Sequence, residues 1–216
     1  MKTAIIIGVG PGLGYALAQA FGAQGMHIAL LARSENNLQR FQEQLTAEGT
    51  SCSAHPVDIS DFDAFRTTLR EIAQKQQVEV VIYNAVKRQF NTPLQLDVHQ
   101  MVDAYRIDVA CALLSVQTLL PFMQEHESGT FLFTGGGAAL TPWTQAPTIT
   151  IAKAGIRSLA YMLAEELQDS PIQVGTITIF GMIKEGTAFD PGEISKSYVQ
   201  HYLTGSPGVE VEFRGV

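Results

Sequence analysis

The residues with the clearest chemical meaning form a glycine-rich turn near the N-terminus. The apolar run Ala4-Ile5-Ile6-Ile7 leads into Gly8-Val9-Gly10-Pro11-Gly12-Leu13-Gly14, and a helical pattern follows at once. A strand that turns through glycine into a helix brings backbone N–H groups and the positive end of the helix dipole to one point. Because glycine has no Cβ, a pyrophosphate fits there. We therefore expect a dinucleotide diphosphate to bind at Gly8, Gly10, Gly12, Leu13 and Gly14.

The spacing of these glycines distinguishes two patterns. Position 13 is Leu, so the widespread G-x-G-x-x-G pattern is not met. Glycines at 8, 12 and 14 fit G-x-x-x-G-x-G instead. The alternative is a tight strand-to-helix turn without a ligand, although so much glycine in one loop costs chain entropy.

The residues after the second apolar run indicate which dinucleotide would bind. An acidic residue near this point usually holds a free ribose 2′-hydroxyl, but the sequence has Ala32, followed by Arg33 and Ser34. A guanidinium beside a hydroxyl suits a 2′-phosphate. We expect NADP(H) rather than NAD(H). The alternative is a solvated Arg33 close to a helix N-terminus, where a cation is slightly unfavourable.

Two further strand ends carry candidate cofactor contacts. Asp58 follows the third strand and either accepts a hydrogen bond from an adenine amino group or acts as a turn residue, with Ser60 or Asp61 capping the next helix. The small residue Ala85, next to Asn84, lets the chain pass close to the adenosine ribose.

Alternating strand and helix patterns run along the chain and predict one α/β domain over 1–216. The fold class that follows is a Rossmann-type, doubly wound, mainly parallel seven-stranded sheet with helices on both faces, which binds ligands at the carboxyl ends of its strands. The predicted strands are 4–9, 27–32, 52–57, 79–83, 129–134, 172–179 and 209–213, and the predicted helices are 12–24, 35–47, 61–76, 97–125 in one or two pieces, 151–168 and 192–203.

Composition narrows the functional class. A net charge of −7 offers no basic excess for nucleic acid. The apolar runs are strand-length or interrupted, so we expect no membrane span, and we see no cleavable signal pattern at the N-terminus. Cys52 and Cys111 lack C-x-x-C spacing and are expected as buried thiols in a reducing cytoplasm. The five histidines are scattered, so no metal site is expected.

Together these features resemble the short-chain dehydrogenase/reductase family over essentially the whole chain. The resemblance implies hydride transfer between a nicotinamide cofactor and a small carbonyl or alcohol compound of unknown identity. It also adds Ile59, Gly181 and Ile183 to the expected cofactor contacts. The segments that carry it are the glycine motif, Asp58, Asn84-Ala85, Ile107-Asp108-Val109, Gly129–Thr134, Ala152-Lys153-Ala154-Gly155, and Gly181-Met182-Ile183 with Phe180 in place of a proline.

The family's chemistry uses an Asn-Ser-Tyr-Lys set, and most of that set is absent. By resemblance the four positions are Asp108, Gly136, Ile149 and Lys153. In the family the tyrosine exchanges the proton, and the lysine lowers its pKa and binds the nicotinamide ribose. Only Lys153 remains, with Asp108 as a second candidate that would pair with it.

Other groups near these positions are weaker substitutes. Threonine hydroxyls can orient a carbonyl but are poor acids, Tyr105 is expected near the cleft, and Tyr161 is expected too far along its helix. Trp143 either stacks on a planar ligand or, as we favour, packs to close the pocket. The threonines are Thr134, Thr148 and Thr150.

Three functions stay open at this point. The first is an NADP(H)-dependent oxidoreductase, the second a catalytically inactive NADP(H)-binding sensor or assembly protein, and the third a scaffold without a dinucleotide. The family's usual association face, on helices 97–125 and 151–168, implies a homodimer or homotetramer. Residues 184–208 are expected to form a small lid.

Overall fold

A computed structural model of the chain describes residues 1–205 and 208–216. Its strands follow the seven predicted apolar runs, with ends displaced by at most two residues. They are β1 (Lys2–Ile7), β2 (His27–Ala32), β3 (Cys52–Pro56), β4 (Gln77–Tyr83), β5 (Gly129–Thr134), β6 (Ile172–Ile179) and β7 (Glu210–Phe213).

All seven strands belong to one sheet in the order β3-β2-β1-β4-β5-β6-β7. Every neighbouring pair is parallel, so the sheet is wholly and not mainly parallel. The chain leaves β1 toward β2 and returns to its other side as β4. This reversal opens a crevice at the carboxyl ends of β1 and β4, where ligands of such sheets bind.

The helices confirm the predicted pattern, with two differences. One starts at Pro147 rather than at residue 151, because proline lacks the N–H that the first helical turn leaves unpaired anyway. The predicted helix 97–125 has a wide π-turn at Arg106–Ala110. The helices are α1 (Leu13–Gly22), α2 (Glu35–Ala47), α3 (Phe62–Lys75), α4 (Val98–Tyr105), α5 (Cys111–Glu125), α6 (Pro147–Glu166) and α7 (Pro191–Thr204).

Apolar side chains alternate along β1 and supply both faces of the sheet. Ile5 and Ile7 join a core that includes side chains of α3, α5 and α6. Ala4 and Ile6 join a second core, under α1, α2 and α7. Each fully buried side chain of this size stabilises the fold by about 1.5–3 kcal/mol relative to an exposed one. The two cores hold the helices in place and leave the carboxyl edge of the sheet to the loops.

The structure agrees only in part with the predictions for the two cysteines and for the lid. Cys111 is buried and Cys52 only partly so, and both are free thiols, so the expectation of a buried thiol is right for Cys111 alone. The expected lid at 184–208 contains α7, which packs into the core through Ile194 and Tyr198. Residues 206 and 207 of that segment lie outside the described residues.

One helical stretch has the length and apolar composition of a membrane span. It is Val98–Glu125, which includes the π-turn, and 56% of its most apolar window is buried within the protein. A core helix of a folded domain satisfies the same two criteria, because burial in protein selects the same side chains as burial in lipid.

Candidate active site

One cleft of about 1490 Å³ lies at the carboxyl ends of the strands. The structure brings every predicted cofactor residue to its wall, although they belong to the segments that follow six different strands. Asp108 is not among the lining residues. The predicted residues that line the cleft are Gly8, Gly10, Gly12, Leu13, Gly14, Arg33, Ser34, Asp58, Ile59, Asn84, Ala85, Lys153, Gly181 and Ile183.

The first residue of the glycine loop accepts no side chain. Gly8 has a φ of +89°, which L-residues rarely adopt. A Cβ on it would lie 2.5 Å from the backbone nitrogen of Ala85. The backbone N–H groups of Gly8 and Val9 both donate to the carbonyl of Leu31, at 2.9 and 3.1 Å. The loop is thereby held between the ends of β2 and β4.

The next part of the loop borders open space. A Cβ on Gly10 or Gly12 would meet no atom within 4 Å. Gly12 is the N-cap of α1 and makes no side-chain cap hydrogen bond, and the first turn of α1 has no acidic residue. The positive end of the helix dipole therefore faces the cleft without a side-chain anion. These residues fit a diphosphate group.

The loop after β2 presents a cation. Arg33 is exposed and lines the cleft. Across residues 1–205 and 208–216, no carboxylate lies within 4.0 Å of its guanidinium. Ser34 is the N-cap of α2 and accepts a hydrogen bond from the Asn37 N–H at 3.4 Å. Arg33 is therefore available for an anionic group in the cleft.

Asp58 has the turn role considered for it. Its carboxylate accepts hydrogen bonds from the Ser60 N–H at 3.0 Å and from the Ser60 hydroxyl at 2.8 Å, and these two bonds lower the pKa of Asp58. Asp61 caps α3 by accepting from the N–H groups of Asp63 and Ala64. The contact between Asp58 and an adenine stays a prediction.

A chain of hydrogen bonds connects the glycine loop to Lys153. The Asn84 side-chain amide donates to the Gly8 carbonyl at 2.9 Å, and the Thr134 hydroxyl donates to the Asn84 side-chain oxygen at 3.0 Å. The Tyr198 hydroxyl donates to the Thr134 hydroxyl oxygen at 2.8 Å. The Lys153 ammonium donates to the Thr134 carbonyl at 2.5 Å. Both ends of the cleft are thus fixed relative to each other.

The surroundings of Lys153 lower its pKa toward neutrality. Burial lowers the pKa of Lys153 to about 8, against the opposing influence of Asp108 and with an additional lowering by Arg88. A Cβ on Gly136 would lie 3.3 Å from Cγ of Lys153, so the missing side chain leaves that face of the lysine uncovered. An amine with this pKa can donate and accept a proton near neutrality.

Asp108 lies behind the cleft wall in the π-turn and is only 2% exposed. One carboxylate oxygen, Oδ1, accepts the Lys87 N–H at 2.6 Å, and Oδ2 has no hydrogen-bond partner among the described residues. Burial raises the pKa of Asp108 to about 6. No ion pair within 4.0 Å joins Asp108 to Lys153 in the described chain, so the pairing considered from the sequence is not formed and the two groups interact at longer range.

Ile149 and Gly136 both line the cleft and carry no exchangeable side-chain proton. The hydroxyl of Thr150 bonds to the backbone of Trp143, accepting from its N–H at 3.1 Å and donating to its carbonyl at 3.2 Å. The hydroxyl of Thr148 is buried without a partner among the residues described. Neither Thr148 nor Thr150 lines the cleft, and the hydroxyl of Thr134, which does, is held by Asn84.

The tyrosines considered from the sequence lie outside the cleft wall. Tyr161 donates a hydrogen bond to Glu210 of β7 at 3.0 Å, in agreement with the expectation that it is too distant. The Tyr105 ring lies beside Gly155 of α6 and does not line the cleft, although Asp103 and Arg106 of the same helical stretch do.

Residues 87–90 after β4 also reach the cleft and were not among the predicted site residues. Arg88 and Phe90 line it, and the Phe90 ring meets the Trp143 ring edge to face, with centroids 5.8 Å apart. Trp143 therefore packs on a neighbour, as favoured, while still facing the cleft. The sequence signal for these residues is their position just after a strand that ends at the cleft.

Residues 2–190 match the family model described as short chain dehydrogenase. The chain belongs to the short-chain dehydrogenase family. It is 28% identical to a short chain dehydrogenase of Pseudocercospora fijiensis over 176 residues, which are 79% of this chain and 56% of that protein. It is 24% identical to a fatty acyl-CoA reductase of Acinetobacter baylyi over 184 residues, 82% of this chain and 61% of that protein.

The chain thus spans less than two thirds of these two relatives' length. The crystal structure of a metagenomic short-chain oxidoreductase in complex with NADP superimposes on it with a TM-score of 0.91 at 21% identity, covering 100% of this chain and 97% of that one. The short-chain dehydrogenase fold is therefore present across the whole described chain, with the sheet order and cleft set out above.

Proposed function

We propose that this short-chain dehydrogenase is an NADP(H)-dependent oxidoreductase acting on a small carbonyl or alcohol compound. One observation carries the proposal: a single cleft contains the uncapped start of α1, the exposed guanidinium of Arg33 and the half-buried Lys153. The metagenomic structural neighbour, which was crystallised with NADP, supports the same cofactor class.

Each part of the cofactor has residues that suit it. The loop at Gly10 and Gly12 would hold the diphosphate with backbone N–H groups. Arg33 would hold the 2′-phosphate by paired charge-assisted hydrogen bonds, which is why we propose NADP(H) over NAD(H). Ala85 lies where the adenosine ribose would pass, and Lys153 would contact the nicotinamide ribose. When bound, the cofactor supplies or accepts the hydride.

The protein itself must then supply or accept the proton of the reaction. In the reduction direction the carbonyl carbon gains a hydride and the carbonyl oxygen gains a proton, for which we assign Lys153 as donor. Its pKa of about 8 keeps it largely protonated at neutral pH and still acidic enough to donate. Asp108 acts through Lys153, because its negative charge raises the pKa of that lysine.

Two observations keep an alternative in view. Gly136 and Ile149, which by resemblance take the positions of the family's serine and tyrosine, bring no proton to the cleft. The alternative is a catalytically inactive NADP(H)-binding sensor or assembly protein with the same cofactor contacts.

The experiment measures cofactor binding first and turnover second. NADPH should raise the melting temperature more than NADH does, because a ligand that binds only the folded state stabilises it by mass action. Arg33→Gln should weaken NADPH binding by about 10- to 100-fold and leave NADH binding unchanged. Arg70→Gln, which removes an exposed charge on α3 away from the cleft, is the matched control.

Turnover separates the enzyme from its alternative. NADPH oxidation with a panel of carbonyl and iminium compounds, lost in Lys153→Met, supports the oxidoreductase. Binding of NADPH without oxidation of any panel member supports the inactive sensor. No thermal shift at millimolar NADPH refutes both and favours a scaffold without a dinucleotide.

We also propose a homodimer formed through α4 and α6. Both helices expose large apolar side chains, among them Val98 and Val102 on α4 and Ile151 and Met162 on α6. Exposed apolar area of this kind is typical of an interface between chains. Light scattering that gives a monomer at micromolar concentration would contradict the dimer.

A further inference from the structure

The cleft contains a cation that the proposed cofactor contacts do not use. Arg88 lies on the loop after β4 and its side chain is exposed. Arg88 and Lys153 both line the cleft, and the positive charge of Arg88 contributes to lowering the pKa of Lys153. Two like charges at one end of a cleft attract an anion, which would relieve their repulsion.

The two cationic side chains Lys87 and Arg106, which also line the cleft, already have partners. Lys87 pairs with Asp103 at 3.3 Å, and the Arg106 guanidinium lies over the Phe62 ring, 4.6 Å from its centroid. For Arg88, the described part of the chain supplies no carboxylate within 4.0 Å. The whole protein carries a net charge of −7, so this local excess does not follow from its composition.

An exposed aromatic pair lies in the wall of the same cleft. Phe90 is 67% exposed and Trp143 is 43% exposed, although both contribute to the lining. Their rings meet edge to face, and the large exposed fraction of each side chain leaves room for contact with a ligand. Aromatic rings that line a pocket favour a flat, apolar ligand group, which gains from burial of both surfaces.

We propose that the substrate is a carbonyl compound with a carboxylate on a planar apolar body. The carboxylate pairs with Arg88, and the planar body lies against Phe90 and Trp143. This inference rests on the proposed function, because it takes the Lys153 end of the cleft as the place where the carbonyl reacts. Arg88 is a specificity-determining residue in this proposal: it binds the carboxylate and does not itself transfer the proton.

The test uses benzoate as the probe and benzamide as its uncharged match. Trp143 is the only tryptophan in the sequence, so its fluorescence reports ligand at this place. With NADP+ present, benzoate should bind more tightly than benzamide. Arg88→Gln should weaken benzoate binding by about fivefold and leave benzamide unchanged. Arg88→Lys should fall between, because lysine keeps the charge but loses the planar fork. Arg70→Gln should match the native protein.

Three results would overturn the proposal. The first is equal affinity of the native protein for benzoate and benzamide. The second is an absence of any Trp143 response to either compound, because the proposed ring lies against that indole. The third is a loss of NADP+ affinity in Arg88→Gln as large as in Arg33→Gln, which would assign the guanidinium to the cofactor.

A turnover measurement extends the same comparison. The KM for 4-carboxybenzaldehyde should rise in Arg88→Gln, while the KM for 4-carbamoylbenzaldehyde stays unchanged. Any change in kcat should be the same for both aldehydes, because the loss of the Arg88 charge raises the pKa of Lys153 whichever compound is bound. Failure of the proposed function is distinguishable from failure of this inference. If NADPH does not change the melting temperature, the proposed function is refuted. If the protein prefers benzoate to benzamide but Arg88→Gln does not reduce that preference, only the role of Arg88 is refuted.

Discussion

Replacing Asp108 by asparagine should stabilise this protein, and the gain should depend on pH. The carboxylate is almost fully buried, and one of its oxygens accepts the Lys87 N–H while the other has no partner among the described residues. Asparagine keeps the accepting oxygen and the size of the side chain but has no charge to desolvate. A buried ionised group without full compensation costs stability, and removing the charge relieves that cost.

The magnitude follows from the pKa. Burial raises the pKa of Asp108 from 3.8 to about 6. A group whose pKa is higher in the folded state stabilises the fold below its unfolded pKa, and that stability is lost as the pH rises through about 6. A pKa difference of about two corresponds to roughly 3 kcal/mol. The asparagine variant should therefore gain on the order of 2–3 kcal/mol at about pH 7.5 and about 1 kcal/mol at about pH 4.5.

Urea unfolding of both proteins at the two pH values measures this difference. Asp103→Asn is the matched control, because Asp103 carries the same charge on the same helical stretch but its side chain is 59% exposed and pairs with Lys87 at the surface. It should change stability by less than about 1 kcal/mol at either pH. An Asp108→Asn protein that is less stable than the native one at both pH values would refute the reasoning, because attraction to Lys153 would then outweigh desolvation.

Three further predictions concern the cleft. Gly8→Ala should lower the free energy of unfolding by several kcal/mol, since its Cβ would clash with the Ala85 backbone. Gly10→Ala should unfold in urea like the native protein but lose NADPH binding. Equal stability of the two variants would contradict this prediction. Ile149→Tyr with Gly136→Ser should raise carbonyl reduction in steady-state assays, and a loss of existing activity would show that the native proton donor depends on the uncovered lysine. The rate of reduction should fall above about pH 8 as Lys153 loses its proton, and a flat pH–rate profile would exclude it as the donor.

Local pattern was sufficient to predict the sheet and to bring the predicted cofactor residues to one cleft. The apolar runs are long and each ends in residues suited to a ligand, and parallel strands necessarily bring those ends to one edge. Gly8 illustrates the strength of the signal, because both its φ and its closeness to Ala85 require glycine.

The remainder depended on contacts between distant parts of the chain. The Thr134 hydroxyl is occupied by Asn84 and by Tyr198 of α7, and no local pattern predicts that partnership. Asp108 lies in the π-turn, which resembles an ordinary helix in sequence, so its burial and its lack of an ion pair with Lys153 were not predictable. The role proposed for Arg88 depends on which other cations already have partners, and the sequence alone does not give those contacts.

The wide turn at Arg106–Ala110 also has a consequence for how the helical stretch can vary. An extra residue in one turn rotates everything before it by about 100° relative to everything after it. The Tyr83 hydroxyl of β4 donates a hydrogen bond to the Ile107 carbonyl and so holds this turn against the sheet. The direction in which the side chains of α4 face solvent is therefore set separately from the direction in which the side chains of α5 face the core. Substitutions can remodel the first surface for a new neighbour while the second keeps its apolar register.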